Sequence, residues 1–162
     1  MFYIKTKFLI VVFIASMIIA LTACNTTNKV TATPTPDRSP DVRADMGKYN
    51  QCFSQMNTDC MASLFAPNGA VYDTGLLQAS GPDAIRRYMN QSFSISHIDS
   101  LTPTIDSIMI NGAVGVALGT YDEKTTNATG QRSETKLQYV AAWINQSNGQ
   151  WLLNRVSTVI LH

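Results

Sequence analysis

The sequence predicts an α+β domain in which three short N-terminal helices are followed by a mostly antiparallel sheet. Between Val42 and Phe93 apolar side chains recur every three or four residues, the helical period. Beyond Ile105 the pattern changes to apolar runs separated by turn residues, the mark of strands. Composition bounds the rest. With 162 residues, 45% hydrophobic and 14% charged, the chain has room for one ordinary domain and is too apolar to be disordered throughout.

Val42, Met46, Tyr49, Phe53 and Met56 step by 4, 3, 4 and 3 residues and mark one face of a first helix. Asn57-Thr58-Asp59 offers a cap for a second, continued by Met61, Leu64 and Phe65 and ended by Pro67-Asn68-Gly69. Ala70–Thr74 is a short strand. Ser80-Gly81-Pro82-Asp83 opens a third helix with proline and an acid in its first turn, and Ile85, Tyr88, Met89 and Phe93 form its face. Ile105–Ile110 is a strand, Asn111-Gly112 a hairpin turn, and Ala113–Tyr121 the returning partner. The polar stretch Asp122–Arg132 reads as a longer hairpin end. Glu134–Asn145 and Gln150–Leu161 are two long strands around Gln146-Ser147-Asn148-Gly149. Ala113, Gly115, Ala117 and Gly119 keep one strand face small, which a bend or the close approach of another element would explain. The last two strands are apolar on both faces. One face covers the helices; the other is expected to pair as a homodimer through the outer side of the sheet.

Ahead of the domain, Lys5 and Lys7 precede Phe8–Leu21, an apolar run broken only by Ser16. It is shorter than the roughly 20 residues needed to cross a bilayer and suits a signal peptide. Leu21-Thr22-Ala23-Cys24 resembles the bacterial lipobox. That resemblance implies a lipoprotein signal over residues 1–23, cleavage before Cys24, and a diacylglycerol on the Cys24 thiol. Further acylation of the new amine gives stable anchoring in the lipid bilayer, because each buried CH₂ contributes about 0.8 kcal/mol. Asn25 stands where inner-membrane lipoproteins of enteric bacteria often carry aspartate, so the resemblance implies the outer membrane, facing the periplasm. Residues 24–42 are the lipidated cysteine and a Thr/Pro-rich tether, and residues 43–162 the folded domain. Loss of Lys5 and Lys7 leaves ten basic against eleven acidic residues, a charge of −1 with no basic block for nucleic acid.

Cys52 and Cys60 remain as an exported pair, which invites a disulfide. On one continuous helix they would lie about 12 Å apart, too far to bridge. A turn between them would allow it, and the sequence leaves both readings open. With no Cys/His grouping, and with His97 and His162 isolated, no metal or other cofactor is expected.

The segments Phe65-Ala66-Pro67-Asn68-Gly69-Ala70-Val71-Tyr72-Asp73, Gly81-Pro82-Asp83-Ala84-Ile85-Arg86-Arg87-Tyr88 and Gly149-Gln150-Trp151-Leu152-Leu153 carry a likeness. In this order they resemble the nuclear-transport-factor-2-like superfamily, which includes SnoaL-like proteins and ketosteroid isomerases. The likeness spans nearly all of 43–161. It implies a strongly curved sheet wrapped around the helices into a cone, with a pocket at the open end. Set without gaps against the isomerase pattern, Asp73 stands at the proton-shuttling aspartate and Tyr49 at the phenol that donates to the oxyanion. Val140 stands where a second donor belongs, with Gln138 and Ala142 on its face. Loss of one such donor costs about 2.7–4 kcal/mol, so steroid isomerisation is not expected. The same alignment turns Leu152, Asn154, Val156 and Thr158 inward, with Val71 beside Asp73 and Phe53 beside Tyr49. It turns Trp151, Leu153, Arg155, Ser157, Tyr139 and Trp143 outward.

The candidate ligand wall is therefore Phe53, Val71, Gln138, Val140, Asn154 and Thr158, with Asp73 and Tyr49 as catalytic candidates. Each also has a structural reading: Tyr49 as a core aromatic, Asp73 as the cap of a turn before Gly75, Asn154 as a partner for buried backbone. With the third catalytic partner missing, the favoured function is an envelope lipoprotein whose domain binds a small, largely apolar molecule or acts as an adaptor. The alternative is an acid/base enzyme of isomerase, hydratase or cyclase type, with Asp73 as base and Tyr49 as donor.

Overall fold

A computed structural model describes residues 37–162. The signal segment, Cys24 and the tether as far as Pro36 lie outside the described residues. Among the described residues no helix is long and apolar enough to cross a membrane.

Helix α1 (Ser39–Ser54) starts ahead of its apolar period. The Asp37 carboxylate accepts from the Ser39 amide at 2.9 Å and hydroxyl at 3.1 Å, while Pro40 and Asp41 occupy the first turn. Val42 and Met46 are wholly buried. The helix stops at Ser54, so Met56, expected on its face, lies in the following turn at φ +50°. That turn brings the Asn57 side chain onto the Cys60 amide at 3.0 Å, capping α2 (Thr58–Ser63). It also joins Cys52 to Cys60 in a disulfide, with Cα atoms 5.7 Å apart.

Phe65, expected to close the second helix, instead opens strand β1 (Phe65–Asp73). Pro67 drives Ala66 out of the helical region, and the helix has already ended at Ser63 ahead of it. Thr74 and Gly75, both at positive φ, turn the chain into β2 (Leu76–Ser80), where only Ala79 is buried. Helix α3 (Pro82–Ile95) follows and buries Ile85 and Met89. It thus lies between strands, so two helices, not three, precede the sheet. Beyond it run β3 (Ser96–Pro103), β4 (Ser107–Asn111), β5 (Val114–Asn127), β6 (Arg132–Asn145) and β7 (Trp151–Ile160). Strands β2 and β3 were not expected, because each buries a single side chain and shows no alternating apolar pattern. The polar stretch 122–132 is strand over most of its length. Two of its charges form exposed cross-strand pairs: Lys124 lies 2.8 Å from Glu134 and Asp122 lies 3.5 Å from Lys136.

The curved sheet runs β2-β1-β7-β6-β5-β3, with β4 on the near half of β5 and β3 on its far half. Among the described residues only β1 and β7 pair in parallel. Its inner face carries Ala117 and Tyr121 of β5, Tyr139 and Trp143 of β6, and Leu153 and Val156 of β7, all in the buried core. Tyr139 and Trp143 therefore face inward, opposite to expectation. Gln138 and Val140 point to the other face, where Val140 is 41% exposed. On β7 the pairing steps from Ala142–Arg155 to Trp143–Leu153 and leaves Asn154 as a bulge without a partner. The alternation reverses there, so Trp151 and Leu153 also face the core. Because β6 is apolar on both sides, its pattern does not choose a phase, and a slip of one residue exchanges every side chain.

The small residues of β5 admit close neighbours. A Cβ at Gly115 would lie 2.9 Å from Val42 of α1. At Gly119 it would run into the Thr104 carbonyl and the Tyr139 hydroxyl.

Candidate functional site

Beyond the region where the helices close on the sheet, a cavity of about 280 Å³ remains. Helix α1 contributes Tyr49 and Phe53, one turn apart, and α3 contributes Tyr88, Met89 and Phe93 at its own helical spacing. Tyr121 and Glu123 come from alternate positions of β5, facing Leu137 and Thr135 of β6 across the ladder. Val71 and Asp73 end β1 beside Val156 and Thr158 of β7, their partners in the parallel pair.

Of the residues read from the sequence, Tyr49, Phe53, Val71, Asp73 and Thr158 thus share one cavity. Gln138 and Val140 do not, since β6 presents its other face to the cavity, and neither does Asn154, displaced by the bulge. Glu123, Tyr121 and Tyr88 were not singled out as site residues. Extending the β5 alternation from Gly119 through Tyr121 would have reached Glu123; the run of polar residues around it suggested a loop instead.

Thr158 Oγ1 donates to Asp73 Oδ1 at 3.2 Å and fixes one edge of that carboxylate. Tyr49 is only 4% exposed, and burial, with Tyr88 nearby, raises its pKa above the ordinary phenol range. Its hydroxyl stays protonated at neutral pH and has no hydrogen-bond partner among the described residues. Tyr121 differs in having a partner: it donates to Asn50 Oδ1 at 2.9 Å and stacks on Tyr139 with ring centroids 4.6 Å apart. Burial raises its pKa well above the phenol range, and the neighbouring Tyr49, Tyr139 and Glu123 add to this. Tyr139 donates to the Thr104 carbonyl at 2.7 Å and is pushed up to about 12, mainly by burial. Tyr88 is raised by burial and then by the Asp73 charge. Glu123 is raised for the same two reasons in the same order. Chemically, the cavity offers two carboxylates and protonated phenols on an aromatic and aliphatic wall. Among the described residues no cluster of three or more His, Cys, Asp or Glu side chains is arranged to hold a metal ion.

The helices, the sheet order and this cavity define a nuclear-transport-factor-2-like fold. A ketosteroid isomerase-like protein from Erwinia carotovora atroseptica superposes with a TM-score of 0.73 at 15% identity, covering 79% of this chain and 99% of that one. A nuclear transport factor 2-like superfamily protein from Salmonella enterica serovar Typhimurium superposes with a TM-score of 0.63 at 16% identity, over 74% and 87% of the two chains. A conserved protein from Planctomyces limnophilus gives 0.63 at 15% identity, over 74% and 93%. At the level of sequence, the SnoaL-like domain pattern matches residues 47–152. The chain belongs to the SnoaL-like domain family. No curated protein matches it.

Proposed function

We propose that this domain binds a small organic molecule in the cavity between α1, α3 and the sheet, at the open end of the cone that the fold resemblance implies. One observation carries the reading: a space of about 280 Å³ walled by Phe53, Phe93, Val71 and Leu137, with a few polar groups converging on it. That size and lining suit a small, largely apolar ligand. The protein acts from the cell envelope, held in the outer membrane by acyl chains on Cys24 and facing the periplasm. The exposed outer side of the sheet, with Val140 and Val159, is the contact of a homodimer. Native mass spectrometry of the full chain extracted from its own membrane tests the binding reading. A co-purifying small molecule that disappears in Phe53→Trp, which fills the space, is the expected result. A bare protein mass in every preparation refutes it. Cys24→Ser is expected to abolish metabolic palmitate labelling, and undiminished labelling removes the anchor.

The enzyme reading is favoured by a separate observation, the presence of Asp73 and Tyr49 in the same cavity. Asp73 would take a proton from carbon while the Tyr49 phenol donates to the oxygen where charge develops. A second donor is missing, since position 140 is a valine and its side chain is exposed away from the cavity. Binding without chemistry is therefore the first reading. Exchange of ligand C–H for deuterium in wild type but not in Asp73→Asn would reverse the order.

A further inference from the structure

The charge of the cavity is one-sided. Asp73 and Glu123 both line it, and among the described residues no lysine, arginine or histidine does. Nor does either carboxylate join an ion pair among the described residues. Arg86 pairs with Asp59 and Asp83, Lys124 with Glu134 and Lys136 with Asp122, and none of these bases lines the cavity. Asp73 receives one hydrogen bond, from Thr158. Glu123 receives none among the described residues, and the hydroxyl of Tyr49, which lines the same cavity, makes none among them either. Aromatic rings close the space around these groups, Phe53 lying 5.8 Å from Phe93 and 5.9 Å from Tyr121 between centroids.

An entering group meets this arrangement according to its charge. An anion would be stripped of water beside two carboxylates with no base to receive it, which is costly. A neutral polar group gains hydrogen bonds but leaves the mutual repulsion of the carboxylates in place. A cation relieves that repulsion and gains attraction from the aromatic faces as well. We infer that the ligand of this cavity is an organic cation, a protonated or quaternary amine on a compact apolar body. The ammonium group lies between Asp73 and Glu123, and the body packs against Phe53, Val71 and Leu137. This inference rests on the small-molecule reading above and narrows it to one chemical class.

Three probes of nearly equal size separate the two claims: 4-phenylbutylamine, its alcohol analogue 4-phenylbutanol, and 4-phenylbutyrate. Isothermal titration of the full chain at neutral pH is expected to show the amine binding about tenfold tighter than the alcohol, with butyrate weakest. Glu123→Gln and Asp73→Asn, which keep shape and remove charge, are each expected to weaken the amine about fivefold and leave the alcohol within about twofold. Thermal melts of both variants establish that the fold is retained. Equal binding of all three probes, or preference for butyrate, overturns the cation and leaves the small-molecule reading standing. Amine affinity unchanged when Glu123→Gln and Asp73→Asn are combined in one chain also overturns it. Binding of none of the probes at millimolar concentration overturns both.

Discussion

Helix α1 passes through two environments. Its first half places Val42 and Met46, both wholly buried, in one cluster with Trp143, Trp151 and Leu153. Its second half places Tyr49 and Phe53 against the cavity. The same sheet lies beneath both. At the first end Gly115 and Ala117 let the helix come close and the space fills; at the second Tyr121 and Glu123 take the corresponding positions of β5 and the space stays open. Helix α3 divides in the same way, with Ile85 wholly buried and Tyr88 and Phe93 on the cavity wall. The difference separates a filled interior from an open cavity within single elements. A filled interior contributes through density, whereas a ligand site needs room and groups left without partners.

Substitutions graded along this axis break or sharpen the contrast. Trp143→Ala at the filled end should cost about 3–5 kcal/mol in urea denaturation, because the hole has no route to collapse. At the boundary, Gly119→Ala drives a Cβ into the Thr104 carbonyl and the Tyr139 hydroxyl. It should cost about 1–3 kcal/mol and leave a visible shift of the tyrosine fluorescence. Tyr121→Phe, on the cavity side, leaves the buried Asn50 carbonyl oxygen without its donor. A loss of about 1–2 kcal/mol is expected there. Equal losses at Trp143 and Tyr121 would mean that the two ends are not distinct.

The smallest effect belongs to Glu123. In Glu123→Gln, stability at low pH should stay within about 0.5 kcal/mol of wild type. The pH dependence, however, should change. Glu123 faces Asp73 from β1, Tyr49 from α1 and Tyr88 from α3, and its pKa is raised by burial and by Asp73. The folded chain then holds a proton that the unfolded chain has released. Stability therefore falls as pH rises from the ordinary glutamate range, about 4.3, through the higher folded value. Urea midpoints measured across that interval should decline in wild type and flatten in Glu123→Gln.

Much of the filled end was legible in the sequence, because helical spacing alone names Val42, Met46, Ile85 and Met89, and the stripe of Gly115 to Gly119 announces a close approach. The cavity was legible in part. Tyr49, Phe53 and Asp73 stand on elements with a clear period or a family likeness, and they share the cavity. Gln138, Val140 and Asn154 were misplaced for a physical reason. A strand apolar on both sides carries no mark of its phase, and a bulge is a backbone event that alternation does not show. Glu123 escaped notice because an inward carboxylate among solvated charges has the same composition as a loop.

The parallel seam between β1 and β7 sets an order of assembly. Strands β5, β6 and β7 join through short turns, at residues 128–131 and 146–150, so their pairing closes small loops. Asp73 and Thr158 are 85 residues apart and meet only when most of the intervening chain is in place. Loop closure of that span is entropically expensive and slows any step that depends on it. The meander is thus expected to form early and the β1 seam late. The cavity, which has Asp73 in its wall, is then expected to be completed only in the last stage of folding.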